Sequence, residues 1–229
     1  MEDGKKKMKI NILYEDNHIL VVEKPMNMLS QSDNTKDIDL LTLVKEYIKE
    51  KYQKPGNVYV GLVHRLDRPV GGIMVFAKTS KAASRLSVQI KNHQLKKEYL
   101  AVVNGIMEEA EGTYIDKIKR LANGNSMVNK DGKEAILNYH VLKRNKEKNT
   151  TLVKIDLKTG RHHQIRVQFA YHNHPLCGDQ RYGKQDKTQI ALYAYHLEFI
   201  HPTTKKLLSF NLIPPKIDHW TTFTVSKYV

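Results

Sequence analysis

The stretch VHRLDRPVGGIMVFAK, residues 63–78, places charged side chains between two apolar segments that have the composition of buried strands. Its middle contains His64, Arg65, Asp67 and Arg68, and a pair of glycines follows. Glycine allows backbone angles closed to other residues and lets a ligand approach the chain. Two interpretations are open at this point: a hairpin with a solvated, charged turn, or an active-site loop that holds one carboxylate among cations.

Composition limits the class of protein. The chain has 229 residues, of which 40% are hydrophobic, so it can bury the core of one folded domain of mixed class. No apolar run approaches the ~20 residues of a membrane span, and residues 1–9 lack the apolar middle of a signal peptide. The single cysteine, Cys177, excludes an intramolecular disulfide framework. We therefore expect a cytoplasmic protein that does not span the membrane.

The charge balance favours a partner made of phosphates. There are 38 lysines and arginines against 24 aspartates and glutamates, a formal net charge of +14. Each lysine or arginine that pairs with a phosphate releases condensed counterions, which drives binding to nucleic acid. No basic amphipathic helix of the kind that binds membranes is evident. Nucleic acid is accordingly the expected partner.

Hydrophobic periodicity outward from this stretch predicts more strands than helices. Strands are predicted over residues 10–14, 18–23, 57–63, 73–77, 98–103, 135–142, 151–157, 190–200 and 207–212. Helices are predicted over residues 38–52, 79–95 and 162–170, with a surface loop over 123–132. Because strict alternation of strand and helix is absent, the fold class is α+β: a mixed, mostly antiparallel sheet flanked by helices. We predict a basic N-terminal arm, residues 1–9, and one domain, residues 10–229.

Two further segments contain side chains that could act chemically. Gly160 stands where a strand gives way to a helix, and Arg161 and Arg166 follow, so the segment is either an anion site or the cationic face of an ordinary helix. Tyr99, in a predicted strand, either stacks on a base or belongs to the core.

The sequence predicts neither a metal site nor a nucleotide-binding loop. Several histidines and Cys177 lie close together between residues 162 and 177. They are accompanied by no Cys-x-x-Cys and no HExxH motif. A GxxxxGK[ST] phosphate loop is also absent. We expect no metal and no cofactor.

Taken in order, these segments resemble the RluA family of RNA pseudouridine synthases. The resemblance runs from about Ile12 to Pro215. It rests on blocks that are each short but follow one another in the family's order: YED at 14–16, VEKP at 22–25, HRLDR at 64–68, KEYLA at 97–101, TGRHHQIR at 159–166, HPLCGD at 174–179 with YG at 182–183, and the closing HL and HP at 196–197 and 201–202.

The resemblance implies a pseudouridine-synthase-like domain with an RNA-binding cleft along its sheet. It implies a site-specific isomerisation of uridine to pseudouridine in structured ribosomal or transfer RNA, without a cofactor. By the match, Asp67 is the catalytic carboxylate, Arg166 its cationic partner and Tyr99 the residue that packs on the flipped base. Breaking a glycosidic bond builds positive charge on the ribose, which a carboxylate can stabilise or trap. Attack on the uracil ring is the competing route.

The same resemblance implies residues that hold the RNA substrate. They are His64, Arg65, Arg68, Arg161 and Ile165. We expect a monomer whose RNA affinity comes from the catalytic domain itself, since the match leaves no room for the N-terminal S4 domain that many relatives carry.

Departures from the family pattern leave alternatives open. Val70-Gly71-Gly72 stands where Thr-Ser-Gly is common, and Gln168 stands where a histidine is usual. An RNA-binding or chaperone protein on a synthase scaffold is therefore a second hypothesis. A basic nuclease is a third, against which the absence of a metal-binding carboxylate cluster argues.

Overall fold

The computed structural model describes residues 9–35 and 37–229. Within them, eleven strands form one sheet. They are β1 Asn11–Glu15, β2 Ile19–Lys24, β3 Gly61–Leu62, β4 Gly71–Ala77, β5 Lys96–Asn104, β6 Glu111–Arg120, β7 Ser126–Val128, β8 Lys133–Asn145, β9 Thr150–Leu157, β10 Leu192–Ile200 and β11 Leu207–Asn211. The order across the sheet is β1-β2-β4-β10-β5-β9-β8-β6-β7, with β3 paired to β4 and β11 paired to β10.

The strand pairs confirm the predicted α+β class with a mixed, mostly antiparallel sheet. Among the described strands, only β4 and β10 run parallel, over Gly71 and Gly72 opposite Tyr193 and Ala194. The predicted hairpin is confirmed: it consists of β8 and β9, which pair antiparallel from Leu137 opposite Leu157 onward. The long antiparallel run β5-β9-β8-β6 makes one half of the sheet, and β4 joins it to the other half through β10.

Three α-helices of the described residues cover the sheet. They are α1 Leu40–Lys51, α2 Ser80–Lys91 and α3 Gln164–Tyr171. Asp39 and Thr79 cap the first two, since their side chains accept hydrogen bonds from the amides of Thr42 and Ala82. Two short 3₁₀ turns, Asp218–Thr222 and Val225–Lys227, follow the last strand.

Strand β4 is the centre of the core, and all seven of its residues are buried. Met74 and Phe76 pack on the face that carries α1 and α3, whereas Ile73 and Val75 pack on the face that carries α2. Burial on both faces explains why this segment is apolar throughout instead of alternating. The strand therefore fixes the turn that precedes it, residues 67–70, at the middle of the sheet.

Three element predictions were wrong in extent. The strand predicted over 57–63 shrinks to β3, because β10 occupies β4 at Gly71 and Gly72 and leaves only its far end for pairing. The helix predicted over 79–95 ends at Lys91, where His93 takes a left-handed φ of 54°. The predicted surface loop over 123–132 contains β7.

Other segments were missed or lie outside the description. β6 was not predicted, although its burial follows the alternation of a strand with one solvated face. The predicted basic arm, residues 1–9, lies outside the described residues except for Lys9. No helix among the described residues is long and apolar enough to cross a membrane.

Candidate active site

The turn that carries Asp67 is held by side chains from three other segments. The Ser30 hydroxyl donates to the carbonyl of Leu66 (2.8 Å) and accepts from the amide of Leu66 (3.1 Å). Gln189 Nε2 donates to the carbonyl of Pro69 at 2.6 Å. The amide of Val70 closes the turn on the Asp67 carbonyl at 3.0 Å. The Asp67 backbone is thereby fixed from both sides.

Lys24 supplies the third support from beneath the turn. Its fully buried ammonium donates to the carbonyls of Pro25 (3.0 Å), Met28 (2.6 Å) and Arg68 (3.0 Å), which matches the three donors of a lysine. Burial lowers the pKa of Lys24 to about 7, although the charge of Asp67 acts in the opposite direction. Lys24 thus ties β2 to the loop that presents the carboxylate.

Asp67 is the outer end of a chain of charges that runs into the protein. Its Oδ2 accepts a hydrogen bond from Arg166 Nη1 at 3.2 Å. On the inner side, Arg166 Nε and Nη2 donate to the two carboxylate oxygens of Asp179 at 2.8 and 2.7 Å. The exposed fraction of the side chain falls from 28% for Asp67 to 7% for Arg166 and 0% for Asp179. Arg166 is therefore oriented by Asp179 and presents Nη1 to Asp67.

Asp179 remains ionised despite its burial. Burial favours the neutral acid, but hydrogen bonds from Arg166 and from the amides of Arg181 and Tyr182 outweigh it and lower the pKa of Asp179. The Arg166 guanidinium also lies over the ring of Tyr182, 5.2 Å from its centroid.

His163 approaches the same carboxylate from the start of α3. Its Nε2 lies 3.7 Å from Asp67 Oδ2, and its Nδ1 is 2.8 Å from the Tyr182 hydroxyl. That hydroxyl accepts from the amide of Ser126 at 2.8 Å, so its own proton is available to His163 Nδ1 and the imidazole proton then sits on Nε2, facing Asp67. Burial lowers the pKa of His163 to about 4, so the ring is neutral at pH 7. Its φ of 54° is left-handed, a conformation that is uncommon for histidine.

Tyr99 forms part of the floor of the site. It is 6% exposed, and it belongs to the core face of β5 together with Ala101 and Val103. Burial and the charge of Asp67 raise the pKa of Tyr99, so the phenol is neutral. Its hydroxyl makes no hydrogen bond within the described part of the chain, which leaves the group available to a ligand.

An open cleft of about 1530 Å³ runs over these residues. Asp67, Tyr99 and Arg166 all line it, and so do the residues predicted to hold the substrate. Those residues are His64, Arg65, Arg68, Arg161 and Ile165. The structure therefore brings the predicted catalytic and substrate residues to one cavity, although their roles stay predictions.

The five predicted substrate residues differ in how accessible they are. Arg65 is exposed and has no partner in the described ranges, whereas Arg68 pairs with Asp37 at 2.7 Å and Arg161 Nε donates to the Glu134 carbonyl at 2.7 Å. His64 Nε2 accepts from the Val75 amide at 3.0 Å, and Ile165 is 5% exposed. Burial lowers the pKa of His64 to about 3, so it is neutral. Of the three arginines in this set, Arg65 is the one without a polar contact in the described ranges.

The Val70-Gly71-Gly72 departure has a local explanation in the packing. A Cβ on Gly71 would lie 2.8 Å from the ring of Tyr193, which fills the space. Val70 is 2% exposed and belongs to the core. Gly72 has a φ of +130°, and a Cβ there would lie 2.3 Å from the carbonyl oxygen of Ala194. Residue 71 thus has no room for a side chain in this packing, and Asp67 keeps its contact with Arg166.

Gln168, the second departure, lies two residues after Arg166 on α3. It is fully buried, and its Nε2 donates to Asp116 Oδ2 (2.8 Å) and to the carbonyl of Ala135 (3.1 Å). His172 Nε2 reaches the same Asp116 oxygen at 3.1 Å, and its ring stacks on Tyr114. Gln168 thus connects α3 to β6 and β8.

The nuclease hypothesis gains no support from the geometry. Over residues 9–35 and 37–229, no three side chains of His, Cys, Asp or Glu are grouped so that they could hold a metal ion. The histidines between residues 162 and 174 have other contacts, since His162 Nδ1 lies 2.9 Å from the Ser126 hydroxyl and His174 Nδ1 lies 3.1 Å from the Asn104 carbonyl.

Comparison with known proteins identifies the family. A profile of the family described as RNA pseudouridylate synthase matches residues 18–171. The chain belongs to this family. It is thus an RNA pseudouridine synthase, an isomerase that acts on uridine in RNA, as the sequence predicted. An uncharacterized RNA pseudouridine synthase of Aquifex aeolicus is 36% identical over 221 residues, covering 90% of this chain and 70% of that protein.

Further relatives agree in sequence and in fold. Ribosomal large subunit pseudouridine synthase C of Buchnera aphidicola subsp. Schizaphis graminum is 34% identical over 220 residues, covering 88% of this chain and 66% of that protein. The solved structure of human RNA pseudouridylate synthase domain containing 1 has a TM-score of 0.75 at 23% identity, covering 96% of this chain and 89% of that one. The fold is that of pseudouridylate synthase domains.

The sequence reasoning missed several residues that build the site. Asp179, Tyr182 and His163 stood inside quoted blocks without any role, and Ser30 and Gln189 were not noticed. An acidic residue just after Gly178 was the available signal for Asp179, but only the folded chain shows that it meets Arg166. Hydrogen bonds to backbone carbonyls, such as that of Gln189, leave no pattern in the sequence.

Proposed function

We propose that this synthase converts specific uridines to pseudouridine in structured ribosomal or transfer RNA, with Asp67 as the catalytic carboxylate. The observation that carries the proposal is the asymmetry of Asp67. Its Oδ2 is bound by Arg166, while its Oδ1 has no hydrogen-bond partner in the described chain. A carboxylate held by one oxygen and open at the other, at the floor of a cleft, is arranged to react with a nucleotide.

The reaction can be written with Asp67 as nucleophile. Attack of the carboxylate oxygen on the ribose C1′ forms an ester bond and breaks the bond from C1′ to uracil N1, whose electron pair leaves with the base. The uracil rotates, its C5 attacks C1′, and the carboxylate is released. Loss of the proton from C5 and protonation of N1 complete the isomerisation without any oxidant or reductant. Attack of Asp67 on the uracil ring uses the same residue and the same cleft.

Arg166 and Tyr99 take supporting roles in this proposal. Arg166 holds the carboxylate in one orientation, and Asp179 in turn holds Arg166 through two hydrogen bonds. The ring of Tyr99 is fixed in β5 and packs on the flipped base. Its neutral hydroxyl takes part in the step in which uracil C5 loses its proton. Arg65 contacts the flipped nucleotide or its phosphate.

The charge and the relatives support an RNA with secondary structure. A net charge of +14 suits a polyanion, and extruding a base costs a few kcal/mol, which is least where the base is already unpaired in a loop. The Buchnera relative is named for the large ribosomal subunit, which makes ribosomal RNA the first substrate to test.

The test is pseudouridine formation in total RNA from cells that lack the gene. Purified protein is added, and the modified positions are mapped by chemical modification and reverse-transcription stops. We expect new pseudouridines at one or a few sites, and none with Asp67→Asn, which preserves shape and removes the nucleophile. If the wild-type protein forms no pseudouridine, or Asp67→Asn forms as much as wild type, the proposal is wrong. Full rescue of a deletion phenotype by Asp67→Asn would favour an RNA chaperone instead.

A further inference from the structure

Lys97 is a cation in the cleft without a counterion. It is half-buried on β5, and its ammonium has no hydrogen-bond or ion-pair partner in residues 9–35 and 37–229. Burial lowers the pKa of Lys97. The nearby lysines differ from it, since Lys96 pairs with Glu98 at 3.0 Å and Lys158 pairs with Asp156. Unlike Lys96 and Lys158, Lys97 therefore has no carboxylate that compensates its charge.

The position of Lys97 relates it to the reaction site. Residues two apart on a strand point to the same face, so Lys97 and Tyr99 both face the cleft, about 7 Å apart along β5. Lys96 and Glu98 face the opposite side of the sheet by the same alternation. The separation along β5 is one that a single nucleotide can bridge between its base and its phosphate.

Gly160 leaves the space beside the Lys97 ammonium open. A Cβ on Gly160 would lie 3.7 Å from Lys97 Nζ, and Gly160 itself is exposed at the end of the loop that follows β9. No left-handed φ requires glycine at this position. A Cβ would thus be in van der Waals contact with the ammonium, and a larger side chain would occupy space next to it.

An unpaired, half-buried cation costs folding free energy, because its hydration is reduced and no carboxylate replaces the lost water. An anion that enters the cleft and contacts Lys97 relieves that cost. The ammonium is a compact point charge with three donors, which suits the oxygens of a phosphate.

We propose that Lys97 and the space beside Gly160 form a binding site for one backbone phosphate of the RNA, at or next to the nucleotide whose base packs on Tyr99. The inference rests on the proposed function, since it takes the cleft to hold the RNA strand. It adds Lys97, two residues before Tyr99 on β5, as a residue that holds the RNA strand.

The salt dependence of RNA binding tests this site without turnover. Binding of a synthetic RNA stem-loop with uridines in its loop is measured on the full chain in the Asp67→Asn background. Each phosphate contact contributes about 0.7 to the slope of log K against log salt for single strands. We expect Lys97→Met to reduce the slope by about 0.7 and to weaken binding about tenfold at low salt. In the active protein, Lys97→Met should raise KM with little change in kcat.

Lys96→Met is the matched control, because it removes the same charge one residue away, from a lysine that is itself paired with Glu98. It should leave the slope unchanged. The urea midpoint of Lys97→Met should be no lower than that of the parent, since an uncompensated cation is removed. A lysine that served only packing would give the reverse: an unchanged slope and a lower midpoint.

Gly160→Leu provides a second, independent variant that keeps the charge and covers it. It should lower the slope as Lys97→Met does. A parental slope in either variant, or an equal loss in Lys96→Met, would overturn the assignment. Because these measurements use an inactive background, they stand apart from the proposed function: absence of pseudouridine with wild-type protein refutes that function, and unchanged slopes refute only the phosphate site.

Discussion

Replacing Asp179 by asparagine tests whether a buried ion pair holds Arg166 against Asp67. The substitution keeps the shape of the side chain but removes its charge and one of the two oxygens that accept from Arg166 at 2.7 and 2.8 Å. The side chains of the pair are 0% and 7% exposed, so solvent cannot replace the lost interaction. Arg166 then keeps one hydrogen bond to the remaining amide oxygen at residue 179 and its hydrogen bond to the more exposed Asp67.

The magnitude follows from that geometry. Removing one member of a buried pair costs about 3–5 kcal/mol, and the remaining amide oxygen places Asp179→Asn near the lower end, at about 3 kcal/mol. With a urea dependence of about 3 kcal/mol per M, the unfolding midpoint falls by about 1 M. Asp67→Asn should cost no more than about 1 kcal/mol, because the carboxylate is 28% exposed and Arg166 keeps both hydrogen bonds to Asp179.

Urea unfolding followed by the fluorescence of Trp220, the single tryptophan, measures both variants. Trp220 is 2% exposed, so its emission changes on unfolding. The contribution of Asp179 also depends on pH in a fixed direction. Its folded pKa is lowered, so its stabilisation is present above the unfolded pKa, about 3.9, and is lost as the pH falls through the lower folded value. The difference in the free energy of unfolding between wild type and Asp179→Asn should therefore become smaller in acid.

An Asp179→Asn protein with the wild-type urea midpoint would refute this prediction. So would an Asp67→Asn protein that loses as much stability as Asp179→Asn. Activity separates the residues further. Both variants should lose pseudouridine formation, Asp67→Asn because the reacting group is gone and Asp179→Asn because Arg166 is no longer held against it.

Three other substitutions test separate features of the fold and site. Gly72→Ala should lower the free energy of unfolding by about 3 kcal/mol or more, since its φ is +130° and the new Cβ would lie 2.3 Å from the Ala194 carbonyl oxygen. Gly124→Ala, where the new Cβ has nothing within 4 Å, should cost about 1 kcal/mol. Equal losses of the two variants in urea unfolding would contradict this prediction. Tyr99→Phe should keep stability within about 0.5 kcal/mol, since the hydroxyl has no partner in the described chain, but should slow single-turnover pseudouridine formation; an unchanged rate would remove the hydroxyl from the proposed mechanism. Lys24 has a folded pKa of about 7 against an ordinary value of 10.5, so the unfolded chain binds more protons between these two pH values. The free energy of unfolding of the wild type should therefore rise from pH 7 toward pH 10 relative to that of Lys24→Met. Parallel pH profiles of the two proteins would disprove this prediction.

The fold was largely predictable where the pattern of burial is local. β4 and the hairpin of β8 and β9 were found because apolar runs and a polar turn mark them. The extent of β3 was not, because it depends on how much of β4 the distant strand β10 leaves unpaired. β6 was overlooked although its alternation was present, since six of its ten residues are exposed and most of its side chains are polar.

The candidate site was predictable through its charged residues and much less through its supports. Asp67, Tyr99 and Arg166 stand in segments whose chemistry is visible in the chain. Ser30 and Gln189, which hold the turn, act on backbone carbonyls and amides that every residue has, so their partners cannot be identified from residue types.

The sequence by itself determined the class of fold, the excess of positive charge and the set of chemical groups, because periodicity and residue type are properties of short segments. Only the tertiary structure decided which groups meet. Asp67 and Arg166 are 99 residues apart in the chain and 3.2 Å apart in the fold. The packing of α3 against the sheet brings them together. Asp179 is buried and fixes the arginine, Lys97 is left without a carboxylate, and Asp67 is the most exposed of the three residues in the charge chain.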